Sequence, residues 1–156
     1  MLIIGCGNPD RGDDAAGILI ADALRRRGVN ARAHSGDGLA LIDLWAAFDD
    51  VVIVDAMVSG EKPGVVRWWD PHTDSRCRTA FRGSTHVFGP AEAIEIARAL
   101  GRLPERMRLC GIEGRVFGLG SAPSPEVLQA IDRLVEELSG SVMAAGAAAV
   151  TVPQHA

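Results

Sequence analysis

Apolar and polar residues fall along the chain in blocks whose spacing separates strands from helices. The first block, Leu2-Ile3-Ile4-Gly5-Cys6, is a continuous apolar run cut off by Gly7-Asn8-Pro9, the mark of a buried strand entering a loop. Over residues 14–27, Gly17, Ile20, Ala21 and Leu24 share one helical face, and Gly28 stops the pattern. Residues 30–34 predict a weak second strand, followed by the turn Ser35-Gly36-Asp37-Gly38 and an apolar helix over 39–48. Val51-Val52-Ile53-Val54 is β-branched without polar alternation, which predicts a central strand covered on both faces and ending at Asp55. Residues 64–69 predict another strand. The connection from Asp55 is shorter than the roughly dozen residues a parallel crossover needs, so this strand should return antiparallel. A long polar loop spans 70–85; Pro90 then opens a helix with Ala93, Ile96, Ala97 and Leu100 on one face, and Gly101 closes it. Residues 106–112 predict the last strand. Ser124 as N-cap, Pro125 in the first helical position and the stripe Val127, Leu128, Ile131, Leu134, Val135, Leu138 predict a final helix ending before Gly140.

Alternating strands and helices with one short return predict an α/β fold: a three-layer αβα sandwich around a mixed, mostly parallel five-stranded sheet. The chain of 156 residues, 47% hydrophobic and 23% charged, has the material for one core and hardly two. Residues 1–139 are expected to form that single domain, and 140–156 a flexible Ala/Gly-rich tail.

A formal charge of −4 argues against a nucleic-acid binder, which needs a surplus of Lys and Arg. No apolar run approaches the roughly 18 residues that span a bilayer, and the apolar start lacks a basic flank and a cleavage-like site, so a cytoplasmic protein without a membrane partner is expected. Three cysteines without CxxC spacing suit a reducing compartment. Cys6 and Cys110 lie in apolar runs and read as core; Cys77, among arginines, reads as an exposed thiol.

In open α/β sheets ligands gather beyond the C-terminal strand ends, so the loops after residues 2–6, after Asp55 and before Pro90 should build the site. The first of these, Gly5 to Asp14, is Gly-rich but not a nucleotide loop. Asp10 stands where a dinucleotide fingerprint needs glycine, and Asp13-Asp14 stand where a phosphate loop needs Lys and Ser or Thr. Carboxylates at a helix entrance suit a cation instead. One of the two, most naturally Asp13, is expected to cap the helix, leaving Asp14 as a ligand. Asp55, beyond four β-branched residues, either opens the turn over 56–60 or is a carboxylate that must be paired, hydrogen-bonded or metal-bound. His86, after Ser84-Thr85, is on its own a surface histidine; with two carboxylates at neighbouring strand ends it becomes a third ligand that leaves coordination positions open. His34 borders this region, His72 lies in the polar loop and His155 in the tail.

The assembled pattern, Ile4-Gly5-Cys6-Gly7-Asn8 with Gly12-Asp13-Asp14-Ala15-Ala16-Gly17, then Val54-Asp55-Ala56 and Ser84-Thr85-His86, resembles the nickel-iron hydrogenase maturation endopeptidases. The resemblance implies an endopeptidase that removes a C-terminal extension from the hydrogenase large-subunit precursor once its nickel is loaded. It carries the family's catalytic and metal-contacting positions onto Asp14, Asp55 and His86, with nickel supplied by the precursor and no nucleotide. It also implies the strand order 2-1-3-5-4 with one antiparallel strand, and acting as a monomer is the default expectation. One feature departs: members often carry an acidic residue before the glycine turn at 35–38, where this chain reads Ala33-His34-Ser35-Gly36, which points to altered substrate discrimination. The rival classes are a non-catalytic metal-binding maturation factor, which leaves precursor length unchanged, and a nucleotide-binding α/β enzyme.

Overall fold

The computed structural model describes residues 1–76, 79, 81 and 88–150, with the side chains of 147–150 excepted. Five strands form one sheet: β1 (Leu2–Cys6), β2 (Ala31–His34), β3 (Asp50–Met57), β4 (Val66–Trp69) and β5 (Arg106–Glu113). Their order is β2-β1-β3-β5-β4, with β4 alone antiparallel, as the short connection after Asp55 requires.

Four helices among the described residues cover the sheet: α1 (Ala16–Arg26), α2 (Gly38–Trp45), α3 (Pro90–Ala99) and α4 (Pro125–Val150). Strand side chains alternate between two cores. Ile3, Val52, Val54 and Ile112 meet α1 and α4 on one face; Leu2, Ile4, Ile53 and Leu109 meet α2 and α3 on the other. The three-layer sandwich is thus the one the alternating pattern predicts.

Element ends differ from the sequence pattern in informative ways. β3 does not end at Asp55 but runs on through Met57, because β5 pairs with it along its whole length, Asp55 opposite Gly111 and Met57 opposite Glu113. Asp55 therefore does not open a turn. α2 starts one residue early because the Asp37 carboxylate accepts the N–H groups of Leu39 and Ala40, capping it. α4 passes straight through Gly140 to Val150. The Ala-rich run beyond it has high intrinsic helix propensity, which outweighs Gly140 and Gly146, so residues 140–150 are helix rather than a structureless tail. Residues 151–156 lie outside the described residues. No helix among the described residues is long and apolar enough to cross a membrane.

Candidate active site

The site begins with two glycines. A Cβ on Gly5 of β1 would overlap the carbonyl oxygen of Gly17 in α1, and a Cβ on Gly17 would meet the carbonyl oxygens of Cys6 and Val54. Helix and sheet therefore touch backbone to backbone, and the residues before α1 are drawn down over the C-terminal ends of β1 and β3. Those residues form a single 3₁₀ turn, Gly12–Ala15, packed on β3. Gly7 completes the fit: its φ of +146° is a conformation side chains rarely adopt, and its missing Cβ leaves room for the Asp14 carbonyl, which accepts the N–H of Asn8 at 3.1 Å.

This turn delivers Asp14, 6% exposed, to the end of the sheet where Asp55, 3% exposed, already sits. Asp55 shares the α2–α3 face with Ile53 and Met57, and β1 presents Cys6 beside it on that face. The electrostatics record the proximity. Burial pushes the Asp55 carboxyl well above the usual carboxylate range, the charge of Asp14 pushes it further, and the N–H of Ala56, 2.9 Å from Oδ1, pulls only partly back. Burial likewise pushes up the Cys6 thiol, and the charges of Asp55 and Asp14 add to it. Cys6 is an inert thiol wedged beside two carboxylates.

Asp13 does something other than cap its own helix. Neither the 3₁₀ turn nor α1 has a side-chain cap. The Asp13 carboxylate, fully buried, instead accepts the N–H groups of Arg115 at 2.7 Å, Val116 at 2.9 Å and Ser124 at 2.6 Å, and the Ser124 hydroxyl. Burial alone would raise this carboxyl; the backbone donors and the hydroxyl together outweigh it and hold it below its ordinary value.

A fourth buried carboxylate escaped the sequence pattern. Glu113, the last residue of β5, accepts the N–H groups of Ser59 and Gly60 and the Ser59 hydroxyl at 2.7 Å, fixing the loop that leaves β3. Its signal was present: an acidic residue closing the apolar run Leu109-Cys110-Gly111-Ile112, as Asp55 follows Val51 to Val54.

Of the three expected ligands the structure brings two together. His86 lies outside the described residues, as do Cys77 and His155. Its neighbour Phe88 packs on Gly38 at the start of α2, with the Phe88 carbonyl accepting the Gly38 N–H. His34 stands in register beside Cys6 and accepts the Gly36 N–H through Nδ1, so it borders the site as expected. His72 does not: its Nε2 meets the Pro104 carbonyl, before the start of β5. Among the described residues no three His, Cys, Asp or Glu side chains are grouped to hold a metal.

A family model described as hydrogenase maturation protease matches residues 36–141, a stretch that takes in Asp55, His86 and Glu113. The chain belongs to the hydrogenase maturation protease family. Among curated relatives, Protein FrxA of Pyrococcus furiosus is 30% identical over 130 residues, covering 80% of this chain and 92% of FrxA. The hydrogenase expression/formation protein HupD of Thiocapsa roseopersicina is 27% identical over 87% of this chain, which spans 64% of the length of HupD. Among solved structures, the NiFe hydrogenase maturation protease HybD from Thermococcus kodakarensis superposes with a TM-score of 0.71 at 26% identity, covering 89% of this chain and 96% of that one. The family match thus takes in the Asp55 strand described above.

Proposed function

We propose that this chain is an endopeptidase that removes a C-terminal extension from the nickel-loaded large-subunit precursor of a nickel-iron hydrogenase. Asp14, Asp55 and His86 engage the nickel that the precursor already holds, so that cutting follows loading. The protein acts in the cytoplasm as a monomer, on a protein substrate, without a nucleotide.

One observation carries this reading: two buried carboxylates, far apart in the chain, are brought to the same end of the sheet, Asp55 on β3 and Asp14 on the 3₁₀ turn packed against it. Burying like charges together is unfavourable unless something positive joins them, and a divalent ion is the natural partner. An imidazole from the loop before α3 would complete a set of two oxygens and one nitrogen, leaving positions for ligands of the precursor. Family membership supplies the reaction class, and the acidic pair supplies a means of sensing the metal.

The test is to incubate the protein with nickel-loaded and metal-free precursor and weigh the large subunit by mass spectrometry. Wild type should shorten only the loaded form, and folded Asp14→Ala, Asp55→Ala and His86→Ala variants should leave it intact. Full processing by all three would remove the assignment of the site. Nickel-dependent association without shortening would identify a non-catalytic maturation factor instead.

A further inference from the structure

We infer that Asp13 is a positioning residue: by clamping the loop over 114–124 to the 3₁₀ turn, it holds the neighbouring Asp14 in place at the sheet end beside Asp55. This rests on the reading of Asp14 and Asp55 as the metal-engaging pair.

The turn is short and has no side-chain cap at either end. Within it the Asp14 N–H reaches the Arg11 carbonyl at 3.0 Å and the Ala16 N–H reaches the Asp13 carbonyl. It is a single 3₁₀ turn entered through Gly12 at a φ of +52°, too short to be positioned by helical bonding alone. Yet it carries one buried carboxyl group to the sheet end beside another.

The restraint comes from outside the turn. Besides the four donors on the Asp13 carboxylate, the Asp13 N–H reaches the Val116 carbonyl at 2.7 Å, the Gly12 N–H the Ser121 carbonyl at 3.0 Å, and the Gly120 N–H the Asp10 carbonyl at 2.7 Å. Two glycines allow the approach: a Cβ on Gly12 would strike the Val116 carbonyl, and one on Gly114 would press the Asp13 Cβ at 2.9 Å. Because Asp13 is fixed at both its N–H and its side chain, the rigid peptide that follows fixes the start of Asp14. Neighbouring residues of a 3₁₀ turn point about a third of a turn apart, so one carboxylate can anchor while the next faces the sheet end. Asp13 itself touches no reacting group.

The test uses Asp13→Asn, which keeps the size but replaces one acceptor oxygen with an amide, and Ser124→Ala, which removes the hydroxyl donor alone. Both are checked for cooperative melting, then assayed with nickel-loaded precursor at a temperature where they are fully folded. Backbone amide NMR is recorded on the same samples. Asp13→Asn should lower kcat about tenfold or more with KM little changed, since misplacement by an ångström is enough for such a loss. Its Asp14 and Ala15 amide resonances should move, and the Arg115 and Val116 amides should exchange faster. Ser124→Ala should show the same changes in smaller measure. A folded Asp13→Asn with kcat within about twofold of wild type, or with Asp14 and Ala15 resonances unmoved while the loop amides exchange faster, would reduce Asp13 to a stabilising residue and overturn the inference. Should Asp13→Asn not fold, Ser124→Ala decides by the same criteria. If wild type itself does not shorten the precursor, the peptidase reading fails, and the amide resonances alone judge the role of Asp13.

Discussion

The backbone of Gly17 rests on the backbone of Gly5, with no side chain between helix and strand. That contact sets the height of the 3₁₀ turn above the sheet and therefore the reach of Asp14. Gly17→Ala inserts a methyl group between carbonyl oxygens that cannot yield without moving α1. It should destabilise the protein by about 1–3 kcal/mol, in the range of overpacked cores, and lower Tm by several degrees. Because the displacement lifts the turn, precursor processing should fall further than the fraction unfolded accounts for. Urea titration and a processing assay on one sample separate the two losses; activity that simply tracks the folded fraction would contradict the role given to this contact.

Asp55 should weaken the fold as pH rises. Its folded-state pKa is raised, by burial first and Asp14 second, above the ordinary value of about 4. Between those two values the folded protein holds a proton that the unfolded chain has released, so unfolding sheds it and stability falls with increasing pH. Above the folded value the penalty stays constant. Asp55→Asn has no such proton to lose. It should melt higher than wild type at pH 7, with the gap closing toward pH 4, while losing precursor processing at every pH. Melting curves in metal-free buffer across that range check the sign, and a gap that widens on acidification would refute it.

Glu113 ties the loop after β3 to the end of β5, two residues beyond the pairing of Asp55 with Gly111. Glu113→Ala leaves the N–H groups of Ser59 and Gly60 without their acceptor, at a cost of about 1–3 kcal/mol. Ser59→Ala removes a single hydroxyl bond and should cost less, about 1 kcal/mol. Chemical denaturation measures both. Faster exchange of the Ser59 and Gly60 amides in Glu113→Ala would place the change in that loop, whereas a loss spread evenly over the sheet would not fit.

What the sequence disclosed and what it hid divide along one physical line. Asp55 was legible because four β-branched residues before it announce a buried strand, although that strand runs on two residues past it to Met57. Asp14 was legible as a carboxylate at a helix entrance, and the antiparallel β4 followed from a connection too short to cross over. Asp13 was misassigned because its partners, Arg115, Val116 and Ser124, lie more than a hundred residues away, while the local rule offered a helix cap. Gly140 misled in the other direction: as a stop signal it was overruled by the alanines behind it. Contacts made across the fold leave no period in the chain, and those contacts hold the turn of Asp14 in place.

The reversed direction of β4 has a further consequence for how the fold is threaded. Trp69 leaves the sheet heading for the end where His72 meets Pro104, away from Asp55. Phe88 rejoins the described chain against Gly38, at the opposite pole. A single inverted strand thus leaves the segment after β4 and the segment before α3 at opposite poles of the sheet, the latter at the pole of the two aspartates.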